Sequence, residues 1–324
     1  MAFVIADMQT TALAAALILA LAPRAEAAKL RVVATIPELV DIASRVGGDR
    51  VFVDGLARGT EDIHQIVMKP SFVAKLNRAD ALVYLGLTVE HAFLPGLLEV
   101  ARNPALRSDP DTLDCAGAGC IDCSAGVRVL EKPQTLSRAQ GDIHPQGNPH
   151  YNLDPANGPL IARNIEAGLA RLDPAHAAEY AKNLKAYLAE LEPRIAGWRT
   201  RTAALRGVKA VSYHRDIAYL GAFTGLDFID TIELKPGVAP TPTHLAELVK
   251  KMKEQKVAAY DADGRIQWTF PVAEAGEDLS GHLQTKSYVT TCGPLLLLHL
   301  SGSLFSLDTS HRVERIDGNK HVIE

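Results

Sequence analysis

Residues 30–48 read LRVVATIPELVDIASRVGG, and this stretch decides the fold class. Leu30 to Ile36 is β-branched and apolar, the composition of a buried strand. Pro37 stops it, and a helical stretch from Leu39 to Val46 follows, closed by Gly47-Gly48. The same strand-then-helix rhythm recurs downstream. Val51 to Leu56 reads as a strand, Pro70 to Arg78 as a helix, Ala81 to Leu85 (ALVYL) as a strand and Phe93 to Ala101 as a helix. Strands alternating with helices predict an α/β lobe built on a parallel sheet, with ligand sites in the loops at the strands' carboxyl ends.

Beyond Asn103 the chain is rich in Gly, Pro, Asp, Cys and Ser as far as Pro149, which predicts irregular structure with one short strand around Val127 to Leu130. Helical periodicity then lengthens over Gly158 to Leu172 and again over Pro174 to Leu205. Asp173-Pro174 is a helix start, Asp as N-cap and Pro as first residue. A helix of about thirty residues is some 45 Å long, enough to reach from one lobe to another. Pro193 is expected to kink or divide it. A second alternating lobe begins with strand Val208 to Ser212. Helix Ile217 to Thr224, strand Phe228 to Ile232, a proline-rich loop from Lys235 to Pro242, helix His244 to Gln255 and strand Val257 to Tyr260 complete it. The expected architecture is therefore α/β, two lobes with parallel-type sheets joined by one long rigid helix. The expected boundaries are 28–172, 173–206 and 207–324, the last atypical after residue 260.

At 324 residues, 47% hydrophobic and 22% charged, the chain suits two such lobes. A formal charge of −4 without a dense Lys/Arg run gives no electrostatic footprint for nucleic acid or anionic membrane. Thr10 to Pro23 is an Ala/Leu run too short for a comfortable bilayer span, followed by Ala25-Glu26-Ala27, a small-x-small cleavage pattern. Residues 1–27 thus read as a secretory signal, with Met8 an alternative start because Asp7 spoils the n-region; the competing reading is an N-terminal membrane anchor. Export points to a soluble protein in a bacterial periplasm. An oxidising compartment makes a disulfide the favoured state for Cys115, Cys120, Cys123 and Cys292, with the pairing open among three connectivities. A thiolate metal site on Cys120-x-x-Cys123 is the weaker alternative, lacking a second pair.

Three histidines stand where a loop should follow a strand. They are His64 in GTEDIHQ, His150 in HPQGNPHYNLDP, and His214 directly after VKAVS. Strand-end loops are where a scaffold presents ligands, and three imidazoles with a carboxylate or water suit tetrahedral zinc. His144 reads as a supporting or surface residue, and His176, His244 and His299 as structural or solvated. His91, His282, His311 and His321 have no persuasive context.

The segments EDIHQIVMKPSFVAKLNRADALVYLG, GNPHYNLDP, YHRDIAYLGAFTGL and IELKPGVAPTPTHLAELVKKMKEQKV together resemble the metal-binding solute-binding proteins of ABC transporters, specifically the zinc-uptake branch. The resemblance runs from about Lys29 to Tyr260. It implies two α/β lobes joined by a long helix, Zn2+ held in the cleft by His64, His150 and His214, and delivery to a membrane permease by a monomeric carrier. Histidine at the third position, where manganese relatives carry Glu, implies zinc over Mn2+. The sequence after Tyr260 departs from the family's ending, where an Asp or Glu completes the site. Asp278 in AGEDLSGHL is the candidate fourth ligand, with Glu277, Asp261 and water as alternatives. The competing classes are a zinc-dependent hydrolase, disfavoured because no HExxH is present, and a periplasmic metal chaperone or adhesin without a transporter.

Overall fold

The computed structural model describes residues 28–59, 61, 63–133, 144–233, 240–255 and 257–260, and in the tail the strands at 266–269, 288–292, 295–300, 303–307 and 313–316. The chain opens with β1 (Leu30–Ala34), α1 (Pro37–Gly47) and β2 (Val51–Gly55), followed by α2 (Pro70–Asn77), β3 (Ala81–Tyr84) and α3 (Leu94–Ala101). Short strands β4 (Arg107–Ser108), β5 (Cys115–Ala116) and β6 (Cys120–Asp122) come next. The sheet order is β2-β1-β3-β6, and every pairing in it is parallel.

Successive strand residues face opposite sides of a sheet, and the two cores sort accordingly. Val32, Ala34, Ala81 and Val83 face one side, where they meet Leu39, Ile42 and Val46 of α1. Val33, Leu82 and Tyr84 face the other, against Phe72 and Leu76 of α2 and Leu94, Leu97 and Leu98 of α3. Burial on both faces explains why these strands read as continuous apolar runs.

One expectation is corrected here. Between Asn103 and Pro149 the described residues carry three short strands, β4, β5 and β6, and Val127 to Leu130 carries none. Residues 120–122 are chosen by register, Leu82 to Tyr84 pairing with Cys120 to Asp122. The Leu130 amide is instead taken by the Tyr219 hydroxyl at 3.0 Å. Cys115 and Cys120 form a disulfide, while Cys123 is a fully buried free thiol.

Helices α4 (Gly158–Leu172) and α5 (Ala177–Thr202) follow, and α5 is roughly 39 Å long at 1.5 Å per residue. Gly168 lets α4 approach the sheet, since a Cβ there would lie 2.6 Å from the Ile121 side chain. Tyr180 and Tyr187 of α5 enter the first core, and Arg199 near its end stacks over Phe223 at 4.9 Å. The helix therefore touches both halves of the chain. Pro193 does not divide it. The carbonyl that loses its partner belongs to Ala189, which is exposed, as is Pro193, so water takes the lost bond. Asp173 stands at the N-cap position with Pro174 following it, as expected. Its carboxylate does not cap the backbone but accepts from His176 Nδ1 at 2.7 Å and the Tyr180 hydroxyl at 2.8 Å.

The second half begins with β7 (Lys209–Ser212), α6 (Ala218–Thr224), β8 (Asp227–Thr231), α7 (Pro242–Glu254) and β9 (Ala258–Tyr260). Strands β7 and β8 pair parallel. Gly225 at φ 79° closes α6, its amide reaching the Gly221 carbonyl at 2.8 Å. Where the alternating rhythm fades, the pairing changes sense. Strand β10 (Ile266–Thr269) runs antiparallel to β9, and β11 (Tyr288–Cys292), β12 (Leu295–Leu300), β13 (Ser303–Leu307) and β14 (Val313–Ile316) form an antiparallel meander. Residues 1–27, including the expected signal, lie outside the described residues; among those described, no helix is long and apolar enough to cross a membrane.

Candidate metal centre

His64 and His214 follow the carboxyl ends of parallel strands β2 and β7, whereas no strand directly precedes His150. Backbone bonds from Leu56 and Ala57 to Ala34 and Thr35 extend the β1–β2 pairing, and the chain then turns through Glu61, whose carboxylate accepts from the Arg58 amide and from Lys69 Nζ. His64 follows, held between Ile63, which packs on both cores, and the buried Ile66. His150 belongs to a knot of local bonds. The Tyr151 hydroxyl donates to Leu85 O at 2.8 Å, Asn157 to Tyr151 O, and the Ala156 amide to the Asp154 carboxylate. His214 follows β7, while amides of Ile232 and Glu233 bond back to Ser212 and Tyr213, carrying Glu233 alongside it.

The structure brings His64, His150 and His214 together, with ligand atoms all within 4.8 Å of one another. His64 Nε2 and His150 Nε2 are 2.9 Å apart. Two nitrogens sharing a tetrahedral zinc at 2.0–2.1 Å would be about 3.3 Å apart, so closure on an ion requires only a small outward shift. The Nδ1 atoms of two rings are already committed, His150 to Asn148 Oδ1 at 3.0 Å and His214 to Glu233 Oε2 at 2.6 Å. Acceptors at Nδ1 fix the tautomer that leaves Nε2 as the donor nitrogen, the arrangement by which surrounding groups orient metal-binding histidines.

Burial holds the His150 imidazole well below the usual histidine range, with His64, His214 and His144 adding charge repulsion. Burial first, then repulsion from His64, His91 and His214, pushes His144 down to about 3. A histidine depressed on folding contributes stability that is present above its unfolded pKa near 6.5 and is lost as pH falls toward the folded value. Zinc-free wild type should therefore lose about 2 kcal/mol more than His144→Gln between pH 7.5 and 4.5, at up to about 1.4 kcal/mol per unit below 6.5. Urea unfolding at both pH values checks this; parallel losses would refute it.

Asp278, Glu277 and Asp261 lie outside the described residues. Two further histidines stand at the site, His144, read as a supporting or surface residue, and His91, which had no persuasive context. The His144 ring centroid is 5.2 Å from that of His64, and His91 lies 5.6 Å from His144 and 6.5 Å from His64. His91 follows β3, the same placement that marked the others. Glu233 and Asn148 were also missed; both are buried polar residues, at 8% exposure each, and buried polar groups are there because they bond. His244 is structural as expected, its Nε2 bonded to Thr231 O at 2.8 Å.

Parallel sheets in both halves of the chain, one long helix that touches both, and imidazoles converging between them are consistent with the two-lobe solute-binding protein fold. The chain belongs to the ZnuA family, zinc-uptake complex component A periplasmic, whose profile matches residues 32–265. It is similar to the zinc-binding lipoprotein AdcA of Streptococcus pneumoniae serotype 4, at 24% identity over 234 residues, 71% of this chain and 44% of AdcA. It is also similar to the manganese ABC transporter substrate-binding lipoprotein PsaA of Streptococcus anginosus, at 26% over 137 residues, 42% of this chain and 40% of PsaA. The chain thus spans less than half the length of these relatives. Among solved structures, a crystal structure of ZnuA superposes with a TM-score of 0.56 at 28% identity, covering 70% of this chain and 79% of that one. The Mn-bound periplasmic metal binding protein from Candidatus Liberibacter asiaticus shares the fold, with TM-score 0.55, 21% identity, and 71% and 78% coverage. The names of these relatives are those of zinc-binding or metal ABC transporter substrate-binding lipoproteins.

Proposed function

We propose that this chain captures zinc in the periplasm and delivers it to the membrane permease of an ABC transporter for import, acting as a monomeric carrier that catalyses no reaction. The observation supporting this most strongly is the convergence of His64, His150 and His214 from both lobes, ligand atoms within 4.8 Å. Three imidazoles form a borderline-soft donor set that suits zinc, whereas manganese prefers harder oxygen donors. His64 and His150 come from the lobe at residues 28–172, His214 from that at 207–324, and the helical segment 173–206 sets their separation. Asp278 or water supplies the fourth ligand. Competition titration with Zn2+ and Mn2+ tests the reading. One equivalent of zinc bound at least 100-fold more tightly than manganese is expected; equal affinities, or manganese preferred, would overturn the zinc assignment.

A further inference from the structure

A cavity of about 240 Å³ is lined by Ser212 and Arg215, the residues on either side of Tyr213-His214, and by Glu131 from the other half of the chain. Ser212 ends β7, and Thr231, which also lines the cavity, ends β8. The cavity therefore sits at the carboxyl ends of parallel strands, where α/β scaffolds bind ligands. A regular strand turns alternate residues to opposite faces, yet Phe228, Ile229 and Asp230 all line it. The pairing explains this. Ala210 pairs with Phe228 and Val211 with Asp230, which leaves Ile229 as an extra residue, and such bulges re-aim side chains.

Two polar side chains of this lining make no hydrogen bond among the described residues. Ser212 is 7% exposed, and its hydroxyl has no partner there, although buried hydroxyls are ordinarily bonded. The Arg215 guanidinium comes only within 3.8 Å of Glu131 Oε1, longer than a hydrogen bond, so its N–H donors are open to a ligand. A guanidinium and a hydroxyl together suit a carboxylate, which arginine takes in a two-pronged bond. Glu131 accepts from Asn148 Nδ2 on one oxygen and has the other at the rim, where it can accept from an ammonium. Asp230 does not compete for that role, because Lys251 Nζ at 2.9 Å and the Thr231 amide already hold it. The remaining surface is apolar, from Ile217 and Ala218, where α6 begins, and from Phe228 and Ile229.

The volume limits the ligand. At about 30 Å³ per water the cavity corresponds to about eight waters, and so to a molecule of about eight or nine non-hydrogen atoms. We propose that this cavity binds a free amino acid with a branched aliphatic side chain, the size of valine or leucine. Its carboxylate bonds Arg215 and Ser212, its ammonium bonds Glu131, and its side chain packs against Phe228, Ile217 and Ala218. Each charged end then meets the opposite sign, and the molecule bridges the two halves of the chain. Inorganic phosphate would use Arg215 and Ser212 but leave the apolar surface wet, and an alkylamine would leave the guanidinium and the hydroxyl unanswered. None of these contacts involves a zinc ligand, so the site stands apart from the reading of the metal centre.

The test is a calorimetric titration of the zinc-free full chain with leucine. One equivalent bound with a Kd below about 1 mM is expected. Isocaproate, which lacks the ammonium, isoamylamine, which lacks the carboxylate, and glycine, which lacks the apolar body, should each bind at least about 10-fold more weakly. Arg215→Gln should weaken leucine binding by about 10- to 100-fold, the loss of a charge-assisted bond, and Ser212→Ala by about 3- to 10-fold. No saturable heat with leucine up to about 10 mM, or an Arg215→Gln variant that binds as wild type does, would overturn the site. Isocaproate or inorganic phosphate bound as tightly as leucine would overturn the amino-acid assignment. Should a variant fold poorly, NMR of wild type decides: leucine methyl protons must show contacts to the Phe228 ring, and their absence at saturating leucine rejects the proposal.

Discussion

His150→Ala should lower zinc affinity by about 100- to 1,000-fold while leaving the fold intact. Apparent binding free energies of about 10–16 kcal/mol for four-ligand zinc sites correspond to about 3–4 kcal/mol per ligand, and about 1.4 kcal/mol is a factor of ten. His150 is the most deeply placed of the three, 9% exposed, with Nε2 2.9 Å from that of His64. Because burial already keeps its imidazole neutral, almost none of its intrinsic affinity is spent displacing a proton at neutral pH. The alanine variant leaves a small space that water fills, and water is a poorer ligand held by nothing. His176→Ala is the control. Its ring bonds Asp173 at the start of the long helix, so zinc affinity should not change. Competition against a chromogenic chelator measures both, and a His150→Ala affinity within threefold of wild type would remove His150 from the site.

The elements that sequence disclosed are those whose signals are local. The run from Leu30 to Ile36, stopped by Pro37, and the apolar Ala81 to Leu85 owe their strand state to residues within a few positions, and both appear with nearly the expected bounds. Strand β6 was missed because nothing in Cys120–Asp122 declares it; its state comes from β3, about forty residues earlier in the chain, offering an edge. Pro193 leaves the long helix undivided, because the carbonyl four residues back lies on an exposed face where water can take the lost bond. At the site, strand-end placement and motif context together disclosed three imidazoles. His91 carries the same placement but no motif, and its relevance depends on a contact with His144, 53 residues later in the chain, that only the folded chain reveals. Glu233 and Asn148 bond to His214 and His150, and such partnerships leave no periodicity to read.

Asn148→Ala should weaken zinc binding by about 10- to 100-fold, the usual cost of losing a partner that orients a metal-binding histidine. It should also destabilise the zinc-free protein by about 2–4 kcal/mol, because buried groups that lose a partner cost about 1–3 kcal/mol each. Asn148 Oδ1 accepts from both the amide and Nδ1 of His150, while Nδ2 donates to Glu131 and to the carbonyl of Arg215, the residue after His214. Its own carbonyl accepts from the Tyr219 hydroxyl, which in turn accepts from the Leu130 amide. One buried amide thus sets the orientation of the His150 imidazole and ties it to the backbone beside His214. Asn148→Asp separates the two roles. It keeps an acceptor for His150 Nδ1 but loses the donor to Arg215 and places a carboxylate against Glu131, so zinc affinity should stay within about threefold of wild type while stability falls. If the alanine variant binds zinc as tightly as wild type, orientation through Nδ1 contributes nothing here. If the aspartate variant loses as much zinc affinity as alanine, the bond to Arg215, and with it the tie between lobes, is what holds the site in register.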